Sequence, residues 1–186
     1  AVRGTEIRVV DEDNIAVAAN VSGEIQIKSR GVTPGYWDAP DLTAAAHTAD
    51  GWYKTGDIGC LDNEGALYII DRKKDMYISG GANVYPREVE ECLLSHPGVN
   101  EAVVLGVPDE KWGESGVAVI VRREKVIPVD DEELFQHLSG RCARYRLPQK
   151  CFFWDSCRRS GYGKIVKKDI LSTLIEKGLI GKPSSS

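Results

Sequence analysis

Residues 57–90 read DIGCLDNEGALYIIDRKKDMYISGGANVYPREVE, and this stretch contains three kinds of segment in succession. An apolar run from Ala66 to Ile70 predicts a strand, and the charged residues 71–75 follow it directly. A glycine pair, Gly80 and Gly81, then precedes a predicted helix. Because the charged run offers no apolar side chain to either neighbour, this order predicts two bodies connected at a polar pivot.

Composition and charge restrict the class of protein. The chain has 186 residues, enough for one domain or one and a half, and 42% of them are hydrophobic and can form a core. The formal net charge of −4 argues against a general nucleic-acid binder, which is usually basic. No apolar run is long enough to cross a bilayer, and no secretory signal pattern is present. The chain begins directly on a strand-like segment, so we expect a piece of a longer protein.

The cysteines and histidines form no pattern typical of a disulfide framework or a metal site. The five cysteines include no Cys-x-x-Cys pair, and His47, His96 and His137 lie far apart in the sequence. This usage predicts reduced thiols in a cytoplasmic protein and no bound metal.

The first part of the chain alternates in the manner of β-strands. Residues 5–10 and 23–28 carry apolar side chains at alternate positions, and the turn signal from Asp11 to Asn14 predicts a hairpin between them. A short helix capped by Asp41 is expected at residues 41–46. We therefore expect residues 1–71 to form an antiparallel β body of the partial-barrel type.

After residue 71 the pattern alternates between helices and strands. Pro86 suits a first helical turn, because it lacks the N–H that would be unsatisfied there. Asp130, with Glu133 three residues later, predicts the start of a second helix, and Gly178 ends a third. Strands are predicted at residues 99–107, 117–121 and 151–154. Residues 72–181 thus predict a small α+β domain, and residues 182–186 a disordered tail.

Three local motifs are candidates for chemistry. The carboxylate of Asp57 could accept two hydrogen bonds from the paired hydroxyls of a ribose, or it could bond its own turn. The glycines before Pro86 could let the backbone approach a phosphate, or could pass tightly against a neighbour. Glu88 is interpreted as an acid favoured by the start of its helix rather than as a catalyst.

The third motif is Ser160-Gly161-Tyr162-Gly163-Lys164, a lysine on a glycine-flanked loop. It is not a nucleotide-binding Walker loop, since Arg158 and Ile165 stand where that motif needs glycine and a hydroxyl residue. From the residues alone, Lys164 could be an ordinary surface lysine.

The amino-acid sequence of residues 51–90 and 143–168 closely resembles that of the adenylate-forming enzymes. This family includes acyl-CoA synthetases, luciferases and the adenylation domains of peptide synthetases. The segment ISGGANVYPREVE resembles the acyl-CoA synthetase branch in particular. The resemblance implies that residues 1–71 are the end of a large N-terminal domain. It also implies that residues 72–181 are a mobile C-terminal lid.

The resemblance also implies roles for single residues on the nucleotide side. Asp57 matches the aspartate that holds the adenosine ribose, and Arg72 matches an arginine that reaches the nucleotide. Lys74 matches the hinge residue about which the lid rotates. Lys164 matches the catalytic lysine, although Arg158 replaces the usual proline of that motif and Tyr162 its serine or threonine.

Four further residues match positions that the family uses with CoA. Gly80 and Gly81 match a loop that lines the pantetheine channel. Trp112, in the segment Lys-Trp-Gly, and Arg146, in a basic patch with aromatic neighbours, match positions near the CoA nucleotide.

The function implied is that of an ATP-dependent acyl-CoA synthetase of fatty acid metabolism. With ATP, Mg²⁺ and CoA it would convert a carboxylic acid, most simply a fatty acid, first to acyl-AMP and then to the thioester. The glycine-rich phosphate loop of the family is absent from the sequence, so the chain alone is expected to be inactive without its N-terminal domain. Two alternatives stay open: an adenylation domain that loads a carrier protein, and a non-catalytic module that keeps the fold.

Overall fold

The computed structural model describes residues 4–123 and 129–181, and the chain divides into two compact units. The first unit ends at Lys74 and the second begins at Asp75. Strands and helices occur in both, which confirms the predicted α+β class. The predicted disordered tail, residues 182–186, lies outside the described residues.

The first unit is built on an antiparallel sheet with the strand order β1-β2-β3-β4. Its elements are β1 (Glu6–Val10), β2 (Gly23–Lys28), α1 (Pro40–Ala45), β3 (Tyr53–Leu61) and β4 (Leu67–Arg72). Val9, Val10, Ile25 and Ile58 are its buried apolar side chains among the described residues. The sheet is open and does not close into a barrel in the part of the chain that the structure describes.

The predicted hairpin is confirmed, because β1 and β2 pair in antiparallel register, but its connection and the predicted helix cap differ from what was expected. The turn after Asp11 first closes on a bridge between Val10 and Ala16, and β2 begins only at Gly23, so the hairpin has a long connection. Helix α1 is capped by Ala39 without a side-chain hydrogen bond, and Asp41 lies inside its first turn. The reason is Pro40, which occupies the helix start that the sequence pattern assigned to Asp41.

The first part of the charged run, residues 71–75, is attached to the sheet of the first unit. Strand β4 continues through Asp71, which is buried, and Arg72, and these residues pair with Ile58 and Asp57 of β3. Only the last three charged residues leave the strand, as a single 3-10 turn from Lys73 to Asp75. The run offers no apolar side chain to either core, as expected, but backbone pairing with β3 holds its first two residues, so the polar pivot is limited to residues 73–75.

The second unit contains a mixed sheet with helices on its faces. Its elements are β5 (Tyr77–Ser79), β6 (Ala82–Val84), α2 (Pro86–Leu94), β7 (Val99–Asp109), β8 (Gly113–Arg122), α3 (Asp131–Ser139), β9 (Lys150–Trp154) and α4 (Lys167–Glu176). The strand order is β6-β5-β8-β7, and β9 pairs with β8 in parallel. The predicted cap of α3 is confirmed, since Asp130 accepts a hydrogen bond from the N–H of Glu133.

The sheet of the second unit is buried on both faces. Ala102 and Val104 of β7 pack in a cluster with side chains of α2 and α3, whereas Val103 and Leu105 pack in a second cluster with α4. Successive side chains of a strand point to opposite faces, so one strand contributes to both clusters. This explains why residues 117–121 of β8 are apolar without interruption.

Tyr77 packs closely over two glycines in the middle of this sheet. Gly106 and Gly116 are cross-strand partners, and a Cβ atom on either would overlap the Tyr77 side chain. The tyrosine is 2% exposed, and its hydroxyl has no hydrogen-bond partner among the described residues. Burial raises the pKa of Tyr77, so the hydroxyl stays neutral.

We expect Tyr77→Phe to leave the stability of the chain unchanged or to raise it by about 1 kcal/mol. The variant removes a buried polar group that no partner compensates, while the ring that covers the glycines stays. Urea denaturation followed by circular dichroism measures the change. Tyr77→Ala is the matched control and should cost about 3–5 kcal/mol, because it leaves a cavity. A loss of more than 1 kcal/mol in the phenylalanine variant would show that the hydroxyl is bonded.

Candidate functional site

Asp57 and Arg72 are brought together in the first unit. They are direct cross-strand partners on β3 and β4, and Arg72 Nε lies 3.1 Å from Asp57 Oδ1. The Asp57 N–H donates to Thr55 Oγ1 at 3.0 Å, and that hydroxyl donates to the carbonyl of Ile25 at 2.8 Å. Gly56 allows this geometry with a φ of +70°. The pair presents a part-exposed carboxylate beside a guanidinium, a combination that can accept from hydroxyls and donate to phosphate oxygens.

Lys74 is exposed and is the last residue of the first unit. It lies in the 3-10 turn that follows β4. Its neighbour Lys73 is held by an ion pair with Glu24, at 2.8 Å, whereas the Lys74 ammonium forms no ion pair with any of the described residues. Strand β4 thus ends two residues before Lys74.

Gly80 and Gly81 form a tight turn rather than the loop expected from the sequence. They are the two central residues of the β5–β6 hairpin, with φ values of +58° and +83°. Positive φ at both central positions is typical of type I′ turns, which need glycine or asparagine. A Gly-Gly pair between Tyr77-Ile78-Ser79 and Ala82-Asn83-Val84 is a hairpin signal, and it could have been recognised.

Trp112 lies in the turn between β7 and β8 and packs against Gly80. Asp109 Oδ1 accepts hydrogen bonds from the N–H groups of Lys111 and Trp112, each at 2.9 Å, and the bond from Trp112 lowers the pKa of Asp109. The carbonyl of Trp112 accepts from the Gly80 N–H at 2.9 Å. Strand β7 continues through Asp109, two residues beyond its predicted end at residue 107.

A cavity of about 780 Å³ adjoins these two turns. It has aromatic walls at Trp112 and Tyr145 and two cationic groups, Lys111 and Arg144. The other residues that line it are Ser79, Gly80, Ala82, Ser115, Gly116, Leu147 and Gln149. Aromatic faces beside guanidinium and ammonium groups can stack on a base and pair with phosphates.

Arg146 is adjacent to this cavity but does not line it. Its Nη1 lies 2.7 Å from Glu88 Oε2, and its Nε donates to the Tyr145 hydroxyl at 3.1 Å. Partial burial acts to lower the pKa of Arg146, but the bond to Tyr145 and the Glu88 charge outweigh it and raise the pKa. Arg146 thus orients Tyr145. The sequence pattern singled out the basic patch, but spacing alone could not separate Arg144 from Arg146.

Lys164 is the exposed end of a tight turn in the second unit. The Ser160 N–H donates to the carbonyl of Lys164 at 2.8 Å, and the Gly163 N–H donates to the carbonyl of Ser160 at 2.9 Å. Gly163 has a φ of +78°. The Lys164 ammonium pairs with no acid in the residues that the structure describes, so it is available to a ligand.

The predicted residues therefore form separate groups. Asp57, Arg72 and Lys74 belong to the first unit, and Gly80, Gly81, Trp112, Arg146 and Lys164 to the second. Within residues 4–123 and 129–181, no cluster of three or more His, Cys, Asp or Glu side chains could hold a metal ion. No helix in that part of the chain has the length and hydropathy to cross a membrane.

Residues 88–164 match the family model described as AMP-binding enzyme C-terminal domain. The long-chain-fatty-acid–CoA ligase FadD13 of Mycobacterium tuberculosis is 43% identical over 163 residues, which are 88% of this chain and 32% of that protein. The 2-succinylbenzoate–CoA ligase of Bacillus cereus is 40% identical over 168 residues, which are 90% of this chain and 34% of that protein. The chain thus spans about a third of the length of these curated relatives.

Solved structures agree with this match. ATP-bound MatB from Rhodopseudomonas palustris has a TM-score of 0.87 and 35% identity, over 94% of this chain and 35% of that one. The o-succinylbenzoate CoA synthetase MenE from Bacillus subtilis, in complex with an acyl-adenylate intermediate, has a TM-score of 0.84 and 39% identity. That similarity covers 90% of this chain and 34% of that one.

The contact between Gly80 and Trp112 gives a test of the cavity wall. A Cβ at residue 80 would lie 2.9 Å from Trp112 Cε3, whereas a Cβ at residue 81 would meet nothing within 4 Å. Both glycines have positive φ, so Gly81→Ala should cost about 1–2 kcal/mol from backbone strain alone. Gly80→Ala should cost that amount and also displace the indole. We expect the indole N–H resonance of Trp112 to shift in Gly80→Ala and to stay in place in Gly81→Ala; equal spectra would contradict the contact.

Proposed function

We infer that this chain, which belongs through residues 88–164 to the family of AMP-binding enzyme C-terminal domains, is the C-terminal part of an ATP-dependent acyl-CoA synthetase. The relatives that match about nine tenths of the chain are named as CoA ligases. The observation that carries the proposal is the exposed ammonium of Lys164 within the matched domain, which pairs with no acid among the described residues, together with the Asp57–Arg72 pair that precedes it.

The proposed reaction has two steps, and each of them balances. A carboxylate oxygen attacks the α-phosphorus of ATP, and pyrophosphate leaves as the acyl-AMP anhydride forms. The CoA thiol, after losing its proton, then attacks the acyl carbon, and AMP leaves. In the first step the Lys164 ammonium would bind both the carboxylate and the α-phosphate and offset the developing negative charge. Asp57 would accept hydrogen bonds from the ribose hydroxyls, with Arg72 beside it.

Mg²⁺ is part of the proposed chemistry, but its ligands are not assigned to this chain. The described residues offer no cluster of carboxylates or histidines for it. When bound, the ion would neutralise charge on the ATP phosphates.

We propose the cavity between the two turns as the site for CoA. Trp112 and Tyr145 offer faces for a base, and Lys111 and Arg144 offer charges for phosphates. Gly80 and Gly81 would let the pantetheine chain pass close to the backbone. Arg146 would contribute through Tyr145, to which it is bonded.

Lys74 is the proposed hinge. The residues before it are held by the β3–β4 pairing, and the 3-10 turn that contains it has no buried side chain among its three residues. A hinge needs a few residues whose dihedral angles can change without breaking a packed contact, and Lys74 satisfies this condition.

The chain is proposed to be inactive in adenylation without the N-terminal part that its relatives possess. We propose a cytoplasmic enzyme of fatty acid metabolism that acts on a small carboxylic acid and CoA and does not bind nucleic acid. The proposed acyl substrate is a fatty acid, by similarity to FadD13.

Lys164→Ala in a synthetase that carries this chain should separate the two half-reactions. We expect the adenylation rate, measured by pyrophosphate exchange, to fall at least about 100-fold, because an electrostatic stabiliser of the transition state is lost. Thioester formation from supplied acyl-AMP should stay within about threefold. Lys168→Ala is the matched control, since Lys168 is an exposed lysine of α4, and it should change neither rate. Unchanged pyrophosphate exchange in Lys164→Ala would refute the proposed role.

The CoA site predicts different effects for the two neighbouring arginines. Arg144→Ala should raise the KM for CoA about tenfold, because it removes a charge from the cavity wall, with adenylation unchanged. Arg146→Ala should also raise this KM, but less, since it acts through Tyr145. Arg141→Ala is the control, because the Arg141 guanidinium donates to the carbonyl of His137 in its own segment and does not line the cavity among the described residues. Steady-state kinetics with varied CoA measure these KM values. If the KM for CoA of Arg144→Ala equalled that of Arg141→Ala, the cavity would be excluded as the CoA site.

A further inference from the structure

Arg159 joins the Lys164 turn to the central sheet of the second unit. Its Nη1 donates a hydrogen bond to the carbonyl of Gly163 at 2.9 Å, and Gly163 directly precedes Lys164. Its Nη2 lies 3.0 Å from Glu101 Oε2. One planar guanidinium therefore contacts the backbone of the turn on one side and a carboxylate on the other.

Glu101, the partner of Arg159 in this ion pair, is held in the sheet. It lies in β7 and pairs with Val121 of β8, and its side chain is only 20% exposed. Its Oε2 atom, the one that faces Arg159, is fully buried. The contact is an ion pair without hydrogen-bond geometry, and burial of the carboxylate oxygen protects it from screening by salt.

The turn itself needs an external anchor. Between the bridge partners Arg159 and Ile165 it contains two glycines and an almost fully exposed tyrosine, Tyr162. None of these residues contributes a buried apolar side chain that would fix the turn. Of the two bridge partners that bound the turn, Ile165 packs against the apolar cluster of β7, β8 and α4, and the Arg159 guanidinium contacts both the backbone of the turn and Glu101 of the sheet.

We propose that Arg159 and Glu101 are positioning residues that hold Lys164 in place for the adenylation step. This inference rests on the function proposed above for Lys164. Arg159 does not touch the reacting atoms; it fixes the carbonyl of Gly163 and therefore the direction in which the Lys164 side chain leaves the turn. A displacement of about 1 Å at a reacting group can reduce a rate about 100-fold, so this anchor matters for the first half-reaction.

Arg158 provides a matched control one residue away. Its side chain is 79% exposed and lies 3.6 Å from Asp169 of α4, and its guanidinium does not contact the turn from Ser160 to Lys164. Arg158→Gln removes the same charge from the same segment as Arg159→Gln but leaves the anchor intact.

The first test uses the chain as it exists. In Arg159→Gln we expect the amide protons of Ser160 and Gly163 to exchange with solvent about tenfold faster than in Arg158→Gln, because the turn opens more often once its anchor is lost. The melting temperatures of the two variants should agree within a few degrees. Equal exchange in the two variants would overturn the proposal.

The second test uses a synthetase that carries this chain. Arg159→Gln and Glu101→Gln should each slow pyrophosphate exchange about 10- to 100-fold and leave thioester formation from supplied acyl-AMP unchanged. Their effects should not add in the double variant, since both remove one contact. Arg159→Lys should recover part of the rate, because it keeps the charge that faces Glu101. Equal losses in both half-reactions would indicate general destabilisation and refute a positioning role.

Lys164→Ala in the same assay separates failure of this inference from failure of the proposed function. If Lys164→Ala abolishes pyrophosphate exchange and Arg159→Gln matches Arg158→Gln, then Lys164 acts as proposed and the positioning role is wrong. If Lys164→Ala has no effect, the proposed function is wrong and the inference fails with it.

Discussion

Burial of the β7–β8 pair on both faces is the constraint on which the second unit depends. These two strands of 11 and 10 residues are buried without interruption over residues 102–105 of β7 and 115–121 of β8, and the neighbouring elements cover their faces or extend their edges. Helices α2 and α3 cover one face, and α4 covers the other. The two candidate sites of the unit occur near the two ends of the pair, at Glu101 and at the turn that follows Asp109.

Acidic side chains of α2 and β7 fix basic segments that follow later in the sequence. Glu88 pairs with Arg146, and Glu101 pairs with Arg159. Glu90 lies 3.0 Å from Lys167 and also accepts the N–H of Val104 at 2.9 Å. Each acid is partly shielded from solvent, so these pairs are less weakened by water than ordinary surface pairs. Charges close to the middle of the sequence thus set the positions of segments more than 50 residues later.

Features that depend on neighbouring residues could be predicted from the sequence. Helix α2 begins at Pro86, the cap of α3 is Asp130, and Gly178 ends the last helix with positive φ, each as the local pattern indicated. The local sequence pattern does not predict the backbone pairing that fixes Asp71 and Arg72, because their partner strand lies more than ten residues earlier in the chain.

The anchors of the candidate sites could not be read from the sequence for a related reason. The contact of Arg159 with Glu101 joins residues 58 positions apart, and no periodicity connects them. The choice between Arg144 and Arg146 at the cavity also depends on which side chain the turn directs outward, and Glu88, far away in the sequence, decides that by binding Arg146. Local patterns locate a basic patch, but long-range partners determine the function of each member.

The two candidate sites of the second unit lie at opposite ends of the same strand pair. Glu101, which holds the Lys164 turn, is near the start of β7, and Asp109, which holds Trp112 beside the cavity, is at its end. Eight residues of strand separate them, or roughly 27 Å at about 3.4 Å per residue. With the functions proposed above, an acyl group attached to AMP could not be near both the Lys164 ammonium and the CoA bound at the cavity while the sheet kept one orientation. If both sites serve one acyl group, the unit must present first one end of β7 and then the other, and the residue at which it could turn is Lys74, where the pairing of β4 has ended.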